Sequence, residues 1–334
     1  MKDFQPSNKK SKSSGLLFKK GKLTFLRKFH VFEVVVILFF LNIVAFFVAI
    51  LYIQKINSFN FESTSFPYIK ITSIANLPGN LEAINSSAAA FVVYDTESRS
   101  VIAGKNQSLR FSPASTAKIM AAIIVLSHYN LDEYLTVPAN VYTVQGSKMN
   151  LVAGEELSVR SLLYGMMLPS GNDAAYTLAY YYPGGIAGFV KSMNNKAYEL
   201  KLSDTHFVDP DGFEDGNFTT GLELARLASY AMQNKTFREI VGTSYIEVSN
   251  KNGSHKYFLK NLNELLAYKN VVGIKTGFTN EAGGVLVTGI KKNGKLLIVV
   301  VLKSQNRFSD TEDLMKFINE KVDFSVDKFN LTNQ

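Results

Sequence analysis

Gly284-Val285-Leu286-Val287-Thr288-Gly289-Ile290, then Lys291-Lys292-Asn293-Gly294-Lys295, then Leu296-Leu297-Ile298-Val299-Val300-Val301-Leu302, is the stretch that decides the fold. Two runs rich in β-branched residues flank an Asn-Gly pair, the residues that tolerate the positive φ angles of a tight hairpin turn. Two antiparallel strands are therefore expected here. Working outward, residues 88–94 and 99–103 are short strand-like runs around a polar Asp95-Thr96-Glu97-Ser98 turn. Residues 115–128 are almost wholly apolar after Lys118 and long enough for a buried helix. Helical runs are expected over 159–168 and 173–181, broken at Pro169-Ser170-Gly171, and again over 222–232. An amphipathic helix is expected over 311–322. Strands at both ends with helices between predict an α+β fold, an antiparallel sheet flanked by helices.

The chain has 334 residues and a net charge of +8. Residues 1–33 hold nine Lys/Arg against Asp3 and Glu33, so nearly all of that excess is N-terminal. The rest is close to neutral, which removes the electrostatic case for a nucleic-acid partner. Residues 34–53 carry no charge and only Asn42 as an amide. A helix of that length rises about 30 Å, one bilayer core, and the basic flank favours a cytoplasmic N-terminus. The expected organisation is a basic cytoplasmic tail (1–30), a transmembrane signal-anchor helix (31–53), an extracytoplasmic linker (54–83), a catalytic domain (84–326) and a short tail (327–334).

There are no cysteines, so disulfides, thiol catalysis and cysteine metal sites are excluded. The four histidines (His30, His128, His206, His255) form no H-E-x-x-H pattern, and no metal site or cofactor is expected. Asp209-Pro210-Asp211-Gly212 has a hint of a calcium loop, but Phe213 stands where a third ligand is needed, so it reads as a turn.

Three short motifs occur in order. Ser115-Thr116-Ala117-Lys118 is an S-x-x-K. Residues i and i+3 share a helix face, so Lys118 Nζ can reach Ser115 Oγ. Burial favours the neutral amine, which can take the serine proton. Taken alone, a capping serine and a snorkelling lysine explain the motif equally well, and Ser7/Lys10 and Ser325/Lys328 also match. Ser170-Gly171-Asn172 is an S-x-N between two helices, a turn that can offer a hydroxyl for proton relay and an amide for a peptide substrate. Lys275-Thr276-Gly277 follows an apolar run and reads as part of a strand. A second ammonium here would lower the pKa of Lys118 further. Lys275 and Thr276 can bind a carboxylate, and Gly277 can leave room for a substrate backbone.

The ordered set S-x-x-K, S-x-N, K-T-G resembles that of penicillin-binding proteins and serine β-lactamases. From about residue 88 to 324 the chain is similar to the low-molecular-weight D-alanyl-D-alanine carboxypeptidases, the S11 peptidases. The similarity runs through Pro113-Ala114-Ser115-Thr116-Ala117-Lys118-Ile119-Met120, Leu168-Pro169-Ser170-Gly171-Asn172-Asp173-Ala174-Ala175, Phe189-Val190-Lys191-Ser192-Met193-Asn194, Asp211-Gly212-Phe213 and Gly273-Ile274-Lys275-Thr276-Gly277-Phe278-Thr279. The resemblance implies a β-lactamase/transpeptidase-like fold, a five-stranded antiparallel sheet with flanking helices and a helical subdomain.

It implies Ser115 as nucleophile, Lys118 as general base and Ser170 as proton relay. Asn172, Lys275, Thr276, Gly277 and Phe278 would bind substrate, with the backbone N–H groups of Ser115 and Phe278 as oxyanion hole. The implied substrate is a peptidoglycan stem peptide ending in D-Ala-D-Ala, with β-lactams as inhibitors, at the outer face of a bacterial cytoplasmic membrane. Departures are Val272, where an Asp is common, and Leu262 between Asn261 and Asn263, where some members have a polar or basic residue. Many members also carry a second β-rich domain and a C-terminal membrane helix, for which the residues after Phe278 leave no room. Alternatives are a D,D-endopeptidase, a β-lactamase using Glu199 in Glu199-Leu200-Lys201-Leu202-Ser203, and a non-catalytic wall-binding protein.

Overall fold

The computed structural model describes residues 43–47 and 84–324. The chain divides into two units, residues 1–66 and 67–334. Of the first, only a helical turn over 43–47 is described, with Val44, Phe46 and Phe47 exposed. Among the described residues no helix is long and apolar enough to cross a membrane. The expected tail, most of the anchor, all of the linker and the last residues of the chain lie outside the described residues.

In the second unit the Asn-Gly signal is met: Asn293 (φ 51°) and Gly294 (φ 80°) both take positive φ. The strands they join are β10 (Gly283–Lys292) and β11 (Lys295–Ser304). β1 (Ala90–Asp95) and β2 (Ser100–Lys105) form the expected N-terminal hairpin, and β9 is Val271–Thr279. The five make one antiparallel sheet in the order β2-β1-β11-β10-β9, which leaves β9 on an edge. Short strands β3 (Arg110–Phe111) to β8 (Lys256–Lys260) pair in twos elsewhere: β3 with β6 (Thr219–Thr220), β4 (Tyr134–Thr136) with β5 (Glu156–Ser158), β7 (Tyr245–Ser249) with β8.

Residues 296–302 of β11 are apolar without a break because both faces of the sheet are covered. Leu297, Val299 and Val301 share a core with Leu314, Met315 and Ile318. Ile298, Val300 and Leu302 belong to the larger core on the opposite face. The two sets alternate with the two-residue strand period.

Among the described residues of this unit seven helices accompany the sheet. They are α1 (Lys118–His128), α2 (Val159–Met167), α3 (Asn172–Tyr180), α4 (Gly185–Glu199), α5 (Gly221–Ala231), α6 (Lys235–Val241) and α7 (Arg307–Lys321). Of these, α5, α6 and α7 pack on the sheet. α1 is the central one: every residue from Lys118 to Val125 is buried. α7 starts four residues before the expected 311, because Asn306 Oδ1 accepts the Ser309 N–H and caps it there. The buried Asp310 carboxylate in its first turn accepts from Ser87 N and Ser87 Oγ, both at 2.7 Å, and ties the start of the domain to α7.

Candidate active site

Ser115 does not lie in an α-helix. It sits in a 3₁₀ turn (Ala114–Ala117) that hands over to α1 at Lys118. The correction strengthens the pairing, since side chains at i and i+3 eclipse in a 3₁₀ turn. Lys118 Nζ donates to Ser115 Oγ at 3.0 Å, to Asn172 Oδ1 at 2.6 Å and to the Asp211 carbonyl at 2.9 Å. Ala114 enters the turn at φ 45°, a strained value for a residue with a side chain. The Thr116 hydroxyl donates to Pro113 O at 2.6 Å and closes the turn.

Lys118 is fully buried, and burial pushes its ammonium down to about 8, against the opposing pull of Asp211, Asp209 and Asp173. A substantial fraction is therefore neutral just above neutrality, as a proton acceptor requires. Burial also raises Asp211 to about 6, opposed by Lys118.

The second wall comes from the start of α3. Asn172 hands Lys118 its carbonyl and donates through Nδ2 to Gln145 O at 2.7 Å, while its backbone N–H reaches Ser147 O at 2.7 Å. Asp173 fixes the same loop: its carboxylate accepts from Met149 N at 2.8 Å and Leu151 N at 3.0 Å. Ser170 stands at φ 65° in the break between α2 and α3, and its buried Oγ has no partner among the described residues. Buried unpartnered hydroxyls and strained backbone are both features that cluster at functional sites.

The third wall is β9. Lys275 is buried, and its Nζ donates to Thr276 O at 3.0 Å. Burial, then Lys118, then Arg307 hold its ammonium well below the ordinary value, which places three basic side chains around one cleft. Thr276 is buried and Phe278 is 61% exposed. Gly277 is also required by packing. A Cβ there would lie 3.1 Å from both Ser115 N and Ala114 Cβ, so the glycine lets the strand run against the Ser115 turn.

A fourth element closes the site from beneath. Asp209-Pro210-Asp211-Gly212 is a turn: the Asp209 carboxylate accepts from the N–H groups of Asp211, Gly212 and Glu214. Gly212 (φ 78°) packs so tightly that a Cβ would fall 2.0 Å from Ala114 O.

All eight site residues expected from the motifs are thus on these walls. Arg307 was missed. It lies at the start of α7 and donates to Gly277 O at 3.3 Å, while its buried Nε has no partner among the described residues. Its only sequence signal was its place 32 residues after Lys275, which nothing but the sheet topology makes meaningful. Asp173 was quoted in a motif but given no role. Glu199 stands on the solvent-facing end of α4 in an ion pair with Lys196. His128 packs on Tyr129 and Tyr182, His206 on Phe218, and His255 bonds Glu155; His30 lies outside the described residues.

Comparison with known proteins agrees with this geometry. The family model described as D-alanyl-D-alanine carboxypeptidase, peptidase S11, matches residues 78–306. A D-alanyl-D-alanine carboxypeptidase of Streptomyces sp. strain K15 is 39% identical over 233 residues, 64% of this chain and 80% of that protein. A D-alanyl-D-alanine endopeptidase of Pseudomonas aeruginosa is 32% identical over 243 residues, 72% of this chain and 77% of that one. The crystal structure of the Streptomyces K15 DD-transpeptidase superposes with a TM-score of 0.66 at 37% identity, covering 70% of this chain and 96% of its own. The fold is therefore that of the penicillin-binding transpeptidases, and the chain belongs to the S11 family of serine peptidases, the D-alanyl-D-alanine carboxypeptidases.

Proposed function

We propose that this protein is a serine-type D-alanyl-D-alanine carboxypeptidase that trims peptidoglycan stem peptides at the outer face of a cytoplasmic membrane, through an acyl-enzyme on Ser115. The observation that carries the reading is the Lys118 ammonium, pushed down to about 8 and 3.0 Å from Ser115 Oγ. The terminal carboxylate of the substrate docks on Lys275, Thr276 and Arg307. Ser115 Oγ passes its proton to neutral Lys118 Nζ and bonds to the carbonyl carbon of the penultimate D-alanine. The oxyanion is held by the N–H groups of Ser115 and Phe278. The C–N bond then breaks, and the departing amine takes the proton from Lys118 by way of Ser170. Water attacks the ester with Lys118 again as base, and the hydroxyl of Ser115 is restored. A β-lactam acylates Ser115 by the same route. No step calls for a cofactor.

Anchoring through residues 31–53 rests on the uncharged run and its basic flank, and the exposed Val44, Phe46 and Phe47 of the described turn suit a lipid setting. The endopeptidase relative supports a second substrate, the cross-linked peptide. A β-lactamase reading through Glu199 is not supported, since an exposed, ion-paired carboxylate lacks the burial that tunes a general base.

The test is mass spectrometry after exposure to penicillin. An adduct of one penicilloyl group on Ser115, lost in Ser115→Ala, is expected; an adduct elsewhere, or none, defeats the assignment. Release of D-alanine from a pentapeptide, compared with cleavage of a cross-linked dimer, separates the two substrates.

A further inference from the structure

Lys118 bonds only neutral acceptors. An ammonium has three N–H donors, and those of Lys118 go to Ser115 Oγ, Asn172 Oδ1 and the Asp211 carbonyl. In the neutral amine two donors suffice for Asn172 and Asp211, and the lone pair is left facing Ser115 Oγ. The amine is therefore aimed at the serine before any proton moves. Once it takes that proton, a full positive charge stands at a buried site with no anion bonded to it. A charge formed there needs an opposite charge nearby, since little water screens it.

Three buried carboxylates act on Lys118, and they differ in how they are occupied. Asp173, on α3, accepts from the N–H groups of Met149, Leu151 and Ala174. Asp209 accepts from the N–H groups of Asp211, Gly212 and Glu214 and from Asn217 Nδ2. Both are struts, taken up by donors of the loops they hold. Asp211 is different. Its carboxylate accepts one hydrogen bond among the described residues, from Phe213 N at 3.0 Å, although the residue is only 8% exposed. It is also the carboxylate that pulls most strongly on Lys118.

The place of Asp211 is fixed from three sides. Its N–H donates to Asp209 at 2.9 Å, and its carbonyl accepts from Lys118 Nζ at 2.9 Å. The next residue, Gly212, lies against Ala114 and Ala117 of the nucleophile turn. Two further charged groups face this pair. Glu214 stands on the same turn, and Lys275 comes from β9, held well below its ordinary value by burial, Lys118 and Arg307. Burial, opposed by Lys118, lifts Asp211 only to about 6, so its carboxylate is ionised where Lys118 works.

We propose that Asp211 is a positioning residue for the base: its carbonyl orients the Lys118 amine toward Ser115, and its carboxylate balances the ammonium that forms when the serine proton is taken. The proton passes from Ser115 Oγ to Lys118 Nζ as the Oγ–acyl bond forms, and Asp211 neither gains nor loses one. The role deepens the acyl-enzyme reading and rests on it for the identity of the base.

Asp211→Asn and Asp211→Ser test it. Each keeps an oxygen for the Phe213 N–H and the backbone carbonyl for Lys118, and each removes the charge. In stopped-flow acylation by penicillin, both are expected to move the midpoint of the pH profile about one pH unit to the acid side, because an ammonium without its counter-charge loses its proton more readily. The plateau at high pH is expected to fall about threefold, since a weaker base pulls less on the serine proton. A midpoint unchanged in both variants, with the rate lowered equally at every pH, overturns the proposal and leaves Asp211 a part of the turn's packing. A midpoint moved to the alkaline side overturns it too.

A second measurement decides the matter if neither variant folds. Coupling between two charges is reciprocal, so Lys118 must hold Asp211 down as Asp211 holds Lys118 up. The Asp211 carboxyl, followed by carbon NMR in the unaltered protein and in Lys118→Met, is expected to titrate about one pH unit higher without the lysine. An unchanged titration overturns the proposal. Absence of a penicilloyl adduct on Ser115 in the unaltered protein would instead remove the acyl-enzyme reading, and the NMR titration would still decide whether Asp211 and Lys118 are coupled.

Discussion

At the scale of the residue, the protein turns on one amine. Lys118 is denied water on all sides and shares the cleft with two further basic side chains, Lys275 and Arg307. Only its neutral form can accept the Ser115 proton, so activity falls on the acid side of its pKa. The acylation rate by penicillin is expected to rise about tenfold per pH unit below pH 8 and to level off above it, as stopped-flow measurements from pH 6 to 10 would show. Lys118→Arg keeps the charge but has no accessible neutral form, so it is expected to lose about 10³-fold or more in acylation rate and the pH dependence with it. The Ser-Lys spacing was plain in the sequence, because three residues make one turn. The depressed pKa was only half legible. Apolar neighbours on α1 announced the burial that lowers it; the second ammonium expected on β9 is not among its causes, and the three carboxylates that oppose the shift had to come from the fold.

At the scale of the element, catalysis depends on irregular pieces pressed together with no room between them. The Ser115 turn is clamped by Gly277 on one side and Gly212 on the other. Gly212→Ala would add a strained φ and a clash with a carbonyl oxygen. A loss of about 3 kcal/mol, roughly 10 °C in melting temperature, is expected by calorimetry, with penicillin labelling lost as well. Asp173 is the strut of the opposite wall. Asp173→Asn turns one acceptor into a donor that faces a backbone N–H, at a cost of about 1–3 kcal/mol. Slower acylation is also expected, because the loosened loop is the one that holds Asn172. The strands of the main sheet and α1, α2, α3, α5 and α7 were readable from periodicity and the Asn-Gly turn, while α4 and α6 were not expected. The 3₁₀ turn, the early start of α7 and the β7–β8 hairpin were not. Each depends on a capping bond or a tertiary contact that leaves the hydrophobic pattern unchanged, and so Arg307 escaped notice.

At the scale of the whole molecule, charge is concentrated at one end of a nearly neutral chain. If residues 31–53 anchor the protein, removing residues 1–53 moves it from the membrane fraction to the soluble fraction of lysed cells, with pentapeptide turnover within about twofold of the full chain; retention in the membrane fraction would place the anchor elsewhere. The catalytic machinery itself is gathered at the outermost strand of the sheet. Unpaired strands usually invite unwanted partners, and most proteins blunt them. Here the strand is mostly buried instead: α7 sets the Arg307 guanidinium on the Gly277 carbonyl, and the nucleophile turn packs against the same glycine. The same border that could seed aggregation is thus closed to casual pairing by a guanidinium and a packed turn.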